Sequence, residues 1–265
     1  MNMKRQIKSR LTRFEHYRDL IVILTQKEMK VRYKNTFFGY VWSIAHPLAF
    51  AFVFFMAFKV VMRIQMEGYA VFLIAGLFPW QWLSNSVNAS PMVFSLNASL
   101  IKKVSLPRHI LPLATVLQDM IHFLLSIPVI VLFLFIYHKS PSFSWFYGIP
   151  LLLTIQLLMT YGLSLIISSI NLFIRDLERL TSICMTLLFY VTPIIYPDTM
   201  IPERYKMLVL FVNPLSSLMV SWRNLFLNGT LEFSLVAVSF AYSLFVLMLG
   251  YKVYTRLSWK FAEVL

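Results

Sequence analysis

Long stretches without Asp, Glu, Lys or Arg recur along this chain, and the first two are Asn35 to Phe58 and Gly68 to Ile101. About 20 residues of helix cross the ~30 Å hydrocarbon core of a bilayer, so either stretch can hold a membrane span. A backbone in hydrocarbon has to satisfy its own N–H and C=O groups, and a helix does this within one segment. Composition agrees. Of 265 residues 59% are apolar and 13% charged, against about half and about a quarter in a soluble domain. The chain therefore reads as an all-α integral membrane protein, a single transmembrane domain over residues 1–265.

The second uncharged stretch runs into a basic turn, Asn97 to Leu113, which holds Lys102, Lys103, Arg108 and His109. Pro107 and Pro112 keep it from being one straight helix. Such a turn between two membrane-length segments has two explanations. It can be a cytoplasmic loop whose charge only fixes orientation, or it can be a docking surface for a soluble partner.

Taken in order, residues 1–13 are basic and read as a cytoplasmic tail. From Phe14 the apolar residues Tyr17, Leu20, Ile21, Leu24 and Val31 fall on one helical side, with His16, Asp19, Gln26, Lys27 and Lys30 opposite. That pattern predicts an amphipathic helix within residues 1–34, lying in the membrane interface or packed on protein. The first span follows over 35–58, with a kink expected at His46-Pro47. The second lies at Tyr69–Val87, with a bent extension containing Asn88, Pro91 and Asn97. The third runs from Leu113 to Tyr137 and contains Asp119 and His122. A carboxylate at that depth is functional, paired inside the bundle, or close enough to the loop to reach interfacial water. The fourth span begins near Trp145 and ends near Ile174, and Arg175 to Arg179 form a charged turn. The fifth, Leu180 to Tyr196, is closed by Pro193 and Pro197. Met207 to Trp222 is uncharged, but Pro214 cuts it into pieces of 7 and 8 residues. Pieces that short cannot span, so 198–230 reads as a re-entrant hairpin, expected against the first and fifth spans. The sixth span is Leu231–Tyr254.

Six spans place both termini on one side. Of the 24 Lys and Arg, all but Lys59, Arg63, Lys139, Arg204, Lys206 and Arg223 fall on that side, which is therefore cytoplasmic. This placement also explains the net charge of +13 without nucleic acid, since the inner leaflet is anionic. Cys184 is the single cysteine, so neither an internal disulfide nor a cysteine-pair metal site is expected. The apolar run from Leu20 to Leu24 is too short for a cleavable signal peptide. None of the 7 glycines is followed by lysine, so no phosphate-binding loop is present and no ATP hydrolysis by that route is expected. Gly162-Leu163-Ser164 lacks the second glycine of a nucleophile elbow, and no histidine follows His138 to serve as base. Carboxylates inside the spans are too few for an ion-coupled transporter.

Aromatic residues make up 16% of the chain. Phe78, Trp80, Trp82, Tyr190, Tyr196 and Trp222 are placed near the outer side, either as an interfacial belt or facing a conduit where flat faces let sugar rings slide. Tyr190 and Tyr196 cannot share a face of a regular helix, and Pro193 is expected to redirect the second by a kink.

Several segments together resemble a family. Arg18-Asp19, then Lys30-Val31-Arg32-Tyr33-Lys34-Asn35-Thr36-Phe37-Phe38-Gly39-Tyr40-Val41-Trp42 and Pro47, look like the entry to type 2 ABC exporter permeases. So do Leu100 to Arg108, the Asn171 to Asp176 turn and the Asn213-Pro214 hairpin. The resemblance covers nearly the whole chain and is greatest to the polysaccharide-export branch, in particular to the O-antigen exporter permeases. Capsule and teichoic-acid exporters are similar. A membrane enzyme acting on lipid-linked sugars is the alternative of another class. The resemblance implies a homodimer in the bacterial inner membrane with two separate ATPase subunits, which bind the ATP and Mg; this chain needs no cofactor. It implies docking through Glu28, Lys102, Lys103 and Arg108. It also implies a channel lined by the first and fifth spans for an undecaprenyl-diphosphate-linked glycan, with Tyr190, Tyr196, Trp80 and Trp82 as candidate path residues.

Overall fold

The computed structural model describes residues 2–34, 39–61, 63, 66–104 and 106–264, and among them all regular structure is helical. The first helix, α1, is Asn2–Tyr33. It therefore includes the basic stretch expected as a tail, because no Gly or Pro interrupts the run before Gly39. The expected start of the first span, 35–38, lies outside the described residues. A 3₁₀ turn at Gly39–Val41 leads into α2, Trp42–Phe55, which passes into a π-helical turn at Met56–Val61. The helix continues through position 47, and the side chain on which the kink was expected is outside the described set.

Gly68, with a left-handed φ of 66°, starts α3, Tyr69–Ala89. The bent extension then forms as predicted: a 3₁₀ turn at Ser90–Met92, α4 at Val93–Leu96 and α5 at Ala98–Lys103. Three long helices follow, α6 (Ile110–Ile136), α7 (Trp145–Asn171) and, after the hairpin, α11 (Phe233–Leu257). These three, the last counted to Lys260, are long and apolar enough to cross a membrane.

The helix at the fifth predicted span, α8, is Leu177–Val191 and stops short of Tyr196. Thr192 is extended, with ψ 134°, because a residue before proline is pushed out of the helical region. Pro193 thus ends the helix where a kink had been expected. Beyond it come α9 (Glu203–Met207), a π-helical turn at Leu208–Val212, and α10 (Pro214–Asn228). Asn213 caps α10 by accepting a hydrogen bond from the Leu215 N–H at 3.1 Å, with Pro214 in the first turn and Gly229 left-handed at the end. A short α12, Phe261–Val264, closes the described chain.

The break at Pro214 is where the sequence placed it, but α10 packs mainly on α3, α7 and α11, and it reaches the expected fifth span at its end, where Arg223 bonds to the Pro193 carbonyl. Leu215, Leu218, Met219, Trp222, Leu225 and Phe226 recur at helical spacing and are all buried. Trp222 stacks on Phe226 and meets Phe123 edge-on, while Phe123 stacks on Trp82. Trp82 and Trp222 therefore belong to the subunit core and to no outer belt. Gln156 of α7, fully buried, donates to the Pro79 carbonyl at 2.7 Å and accepts from the Trp222 indole at 2.6 Å. One amide thereby joins α3, α7 and α10. Arg223 of α10 is buried too: it pairs with Asp198 at 2.8 Å, donates to the Pro193 carbonyl at 2.8 Å and lies over the Phe72 ring. It fastens the hairpin to the end of α8.

Helices α7 and α11 cross in backbone contact. A Cβ on Gly162 would sit 2.7 Å from the backbone nitrogen of Leu247, and one on Gly250 would strike the carbonyl of Gly162. Ser164, Ser168, Ser239 and Ser243 on the same two helices are fully buried. Small residues let membrane helices approach to backbone contact, which replaces the hydrophobic driving force that lipid does not supply.

Candidate functional site

A second apolar cluster gathers at the basic end of the molecule, where Leu24 of α1, Phe94 of α4, Ile101 of α5, Ile110 of α6, Tyr254 of α11 and Phe261 of α12 meet. Helix α1 packs there through Tyr17, Leu20, Ile21 and Leu24, while Val22, Ile23 and Val31 stay exposed. Its polar side makes three specific bonds. Lys27 donates to the side-chain amide oxygen of Asn97 at 2.5 Å and pairs with Glu28 at 3.1 Å. Arg32 pairs with Asp119, which is 3% exposed and also accepts from Ser86 at 2.9 Å. Asp119 is thus a paired group inside the bundle, and does not reach out to interfacial water. The sequence had shown no partner for it.

Of the four residues expected to dock a partner, Lys102 and Lys103 project from the last turn of α5 and are exposed. Cations are favoured at that end of a helix dipole. Glu28 is partly buried and engaged by Lys27. Arg108 donates to the Ser258 carbonyl at 2.7 Å, so it ties the loop to the segment after α11. Beside it, His109 is packed edge-on against Tyr254, and burial holds its imidazole below the ordinary histidine range. Among the described residues Lys102 and Lys103 carry no ion pair and offer an exposed basic surface, whereas Glu28 and Arg108 are engaged within the fold.

The four aromatic candidates separate. Trp82 is pinned in the core by a bond from its indole N–H to the Val116 carbonyl at 3.1 Å. Tyr196 folds back over the end of α8, its hydroxyl donating to the carbonyls of Tyr190 and Val191 at 3.2 and 3.0 Å. It satisfies backbone groups that the end of the helix leaves open. Trp80 and Tyr190 remain together, on a cleft of ≈ 270 Å³ between α2, α3 and α8. Trp80 packs on Phe189, which in turn packs on Phe54 of α2 and on Tyr190.

Phe50, Leu77 and Met185 add to the apolar wall of the cleft, and a polar stripe lies beside them. Gln81, Ser84, Asn85 and Asn88 line the cleft from α3, and Ser182 and Thr186 from α8. This stripe was missed in the sequence, although its positions i, i+3, i+4 and i+7 on an uncharged helix are a legible signal. Neutral hydrogen-bonding groups beside aromatic faces suit a neutral, hydroxyl-rich ligand, since both surfaces of a sugar ring find a counterpart.

Comparison with known proteins agrees with this geometry. The ABC-2 type transporter family matches residues 19–227. The O-antigen export system permease protein RfbA of Klebsiella pneumoniae is 47% identical over 93% of this chain and 95% of its own length. A protein of the same name from Myxococcus xanthus is 35% identical over 79% of this chain and 81% of its own. More distantly, the polysialic acid transport protein KpsM of Escherichia coli is 26% identical over 76% of this chain and 79% of its own. A multi-pass membrane protein with apolar helices and a basic end, the chain belongs to the ABC-2 type transporter family.

Proposed function

We propose that the chain is the permease subunit of an ABC exporter that passes an undecaprenyl-diphosphate-linked polysaccharide of the O-antigen type across the bacterial inner membrane. The observation that carries this reading is the cleft in which Trp80 and Tyr190 stand over a stripe of uncharged polar side chains. In this reading α2, α3, α6, α7, α8 and α11 are six spans of one transmembrane domain, α9 and α10 form the re-entrant hairpin, and both termini are cytoplasmic. ATP and Mg are bound by a separate ATPase subunit. On the side of α2 and α8 the cleft-lining residues Phe50, Ser182 and Tyr190 are exposed. A second copy of the chain facing this side would close the cleft into a conduit, so the working unit is a homodimer with two ATPases. A capsular cargo is the second reading, supported by the likeness to the polysialic acid transport protein.

Tyr190 tests the path. Replacing it with Ala lowers glycan export several-fold while assembly and stimulated ATP hydrolysis stay near wild type. Unchanged export would place Tyr190 against lipid. Lys102 and Lys103 test the docking. The double reversal Lys102→Glu, Lys103→Glu weakens stimulation of the ATPase by a few-fold, as exposed charge pairs are worth ~1 kcal/mol or less each. Full stimulation in the double variant would return the loop to a role in orientation only. Arg108 is a poorer probe, because its reversal also breaks the bond to Ser258.

A further inference from the structure

We propose that an anionic phospholipid binds between α1 and α6, with one acyl chain in the groove that separates them and its phosphate on Lys30. The groove, ≈ 740 Å³, lies between two i, i+4 rows: Ile21, Thr25 and Met29 on α1, and Leu117, Ile121 and Leu125 on α6. Its volume is within the range of about 300–1,000 Å³ typical of small-molecule sites, and its walls are apolar almost throughout. The two helices are already joined by the Arg32–Asp119 pair, so the space is a fixed part of the fold.

Of the three polar residues that line the groove, Thr25, Gln26 and Lys30, the first and last give it a direction. Thr25 is 7% exposed, and its hydroxyl has no hydrogen-bond partner among the described residues. An unpaired buried hydroxyl is costly and is relieved by an incoming acceptor. Lys30 lies on the lip. Its neighbours on α1 are engaged, Lys27 by Glu28 and Asn97 and Arg32 by Asp119, whereas Lys30 has no carboxylate partner among the described residues. An apolar slot ending at an uncompensated ammonium matches the chemistry of a phospholipid: a hydrocarbon tail with a phosphate at one end.

The same features disfavour the polyprenyl carrier. An undecaprenyl tail is far longer than the groove, and its diphosphate would need more than a single unpaired lysine. The inference rests on the membrane placement of the chain but not on its cargo. It makes the position of α1, and so of the docking surface at Glu28, dependent on lipid.

The test is photolabelling of the chain in complex with its ATPase, in phosphatidylcholine nanodiscs doped with phosphatidylglycerol that carries a diazirine in its acyl chain. Peptide mapping is expected to find adducts on residues 21–29 and 117–125. Lys30→Glu, and Ile121→Trp to fill the groove, lower these adducts at least fivefold, while Lys30→Arg retains them. Labelling of the lipid-exposed side of α11 is unchanged in each variant and serves as the internal control for folding. Adducts insensitive to all three variants would overturn the proposal. So would displacement of the label by excess lipid-linked glycan, which would make the groove an entry site for cargo. A disulfide between two copies through Leu125→Cys would likewise overturn it, by placing a second copy of the chain there. Loss of export alone, with labelling intact, would count against the cargo reading and leave the lipid site standing.

Discussion

Replacing Gly162 with Val prevents α7 and α11 from reaching their crossing, and the expected result is little or no folded protein extractable from the membrane. The added carbons would start 2.7 Å from the Leu247 nitrogen and the Val246 carbonyl carbon, which are backbone atoms that no rotamer change can move aside. Overpacking a core usually costs about 1–3 kcal/mol because side chains give way. Here a whole helix must shift, and with it the packing of Ser164, Ser168, Ser239 and Ser243, so the loss lies at or beyond the upper end. Gly76→Ala is the control. Its new methyl would meet Ile194 at 3.6 Å, an ordinary contact, and it is expected to melt near wild type in detergent. A Gly162→Val protein with a wild-type melting temperature would mean that the two helices do not cross in contact.

Arg32→Ala is expected to release the end of α1 from α6, and to lower both thermal stability and stimulation of the ATPase. Asp119 is 3% exposed and would keep Ser86 as its remaining hydrogen-bond donor. Removing one partner of a buried ion pair leaves an uncompensated charge, typically at a cost of about 3–5 kcal/mol. The Arg32 side chain is itself 41% exposed, and solvent screening places the loss toward or below the lower figure. The physical signature is in the double variant. Arg32→Ala with Asp119→Asn removes the orphaned charge, so it should be more stable than Arg32→Ala alone, by a double-mutant cycle read from melting in detergent. A double variant no better than the single would show that the pair does not hold the helix.

Much of the helical plan was legible because it is local. The second span was read at Tyr69–Val87 and the helix is Tyr69–Ala89; the bent extension, the start of α7 at Trp145 and the break at Pro214 also lie where apolar runs and prolines put them. The exposed lysines of the loop were equally plain, since a basic turn at the end of an apolar run has nowhere to bury its charge. Part of the cleft was legible too. Trp80 and Tyr190 were named, and Gln81, Ser84, Asn85 and Asn88 could have been, from their spacing alone.

The rest depended on contacts that the one-dimensional pattern does not encode. Trp80 and Trp82 are two residues apart, about 200° around a helix, so at most one could face the cleft, but only the position of α6 shows which. Trp82 bonds to Val116 and is lost to the core; Trp80 keeps its place. The helix at the fifth span is shorter than its apolar run because Thr192 is driven out of helix by Pro193, and Tyr196 then turns back to cap it. The amphipathic pattern of α10 was visible, but not that its apolar face would choose α3, α7 and α11. Asp119 looked solitary because its partner is 87 residues away in sequence. By itself, the sequence determined a membrane-embedded helical chain with a basic end, because hydrocarbon imposes length, apolarity and charge asymmetry residue by residue. Which aromatic faces the cleft, which carboxylate is paired and where the hairpin lies were decided by the tertiary structure alone, because helix–helix contacts between distant segments fix them and no local period records those contacts.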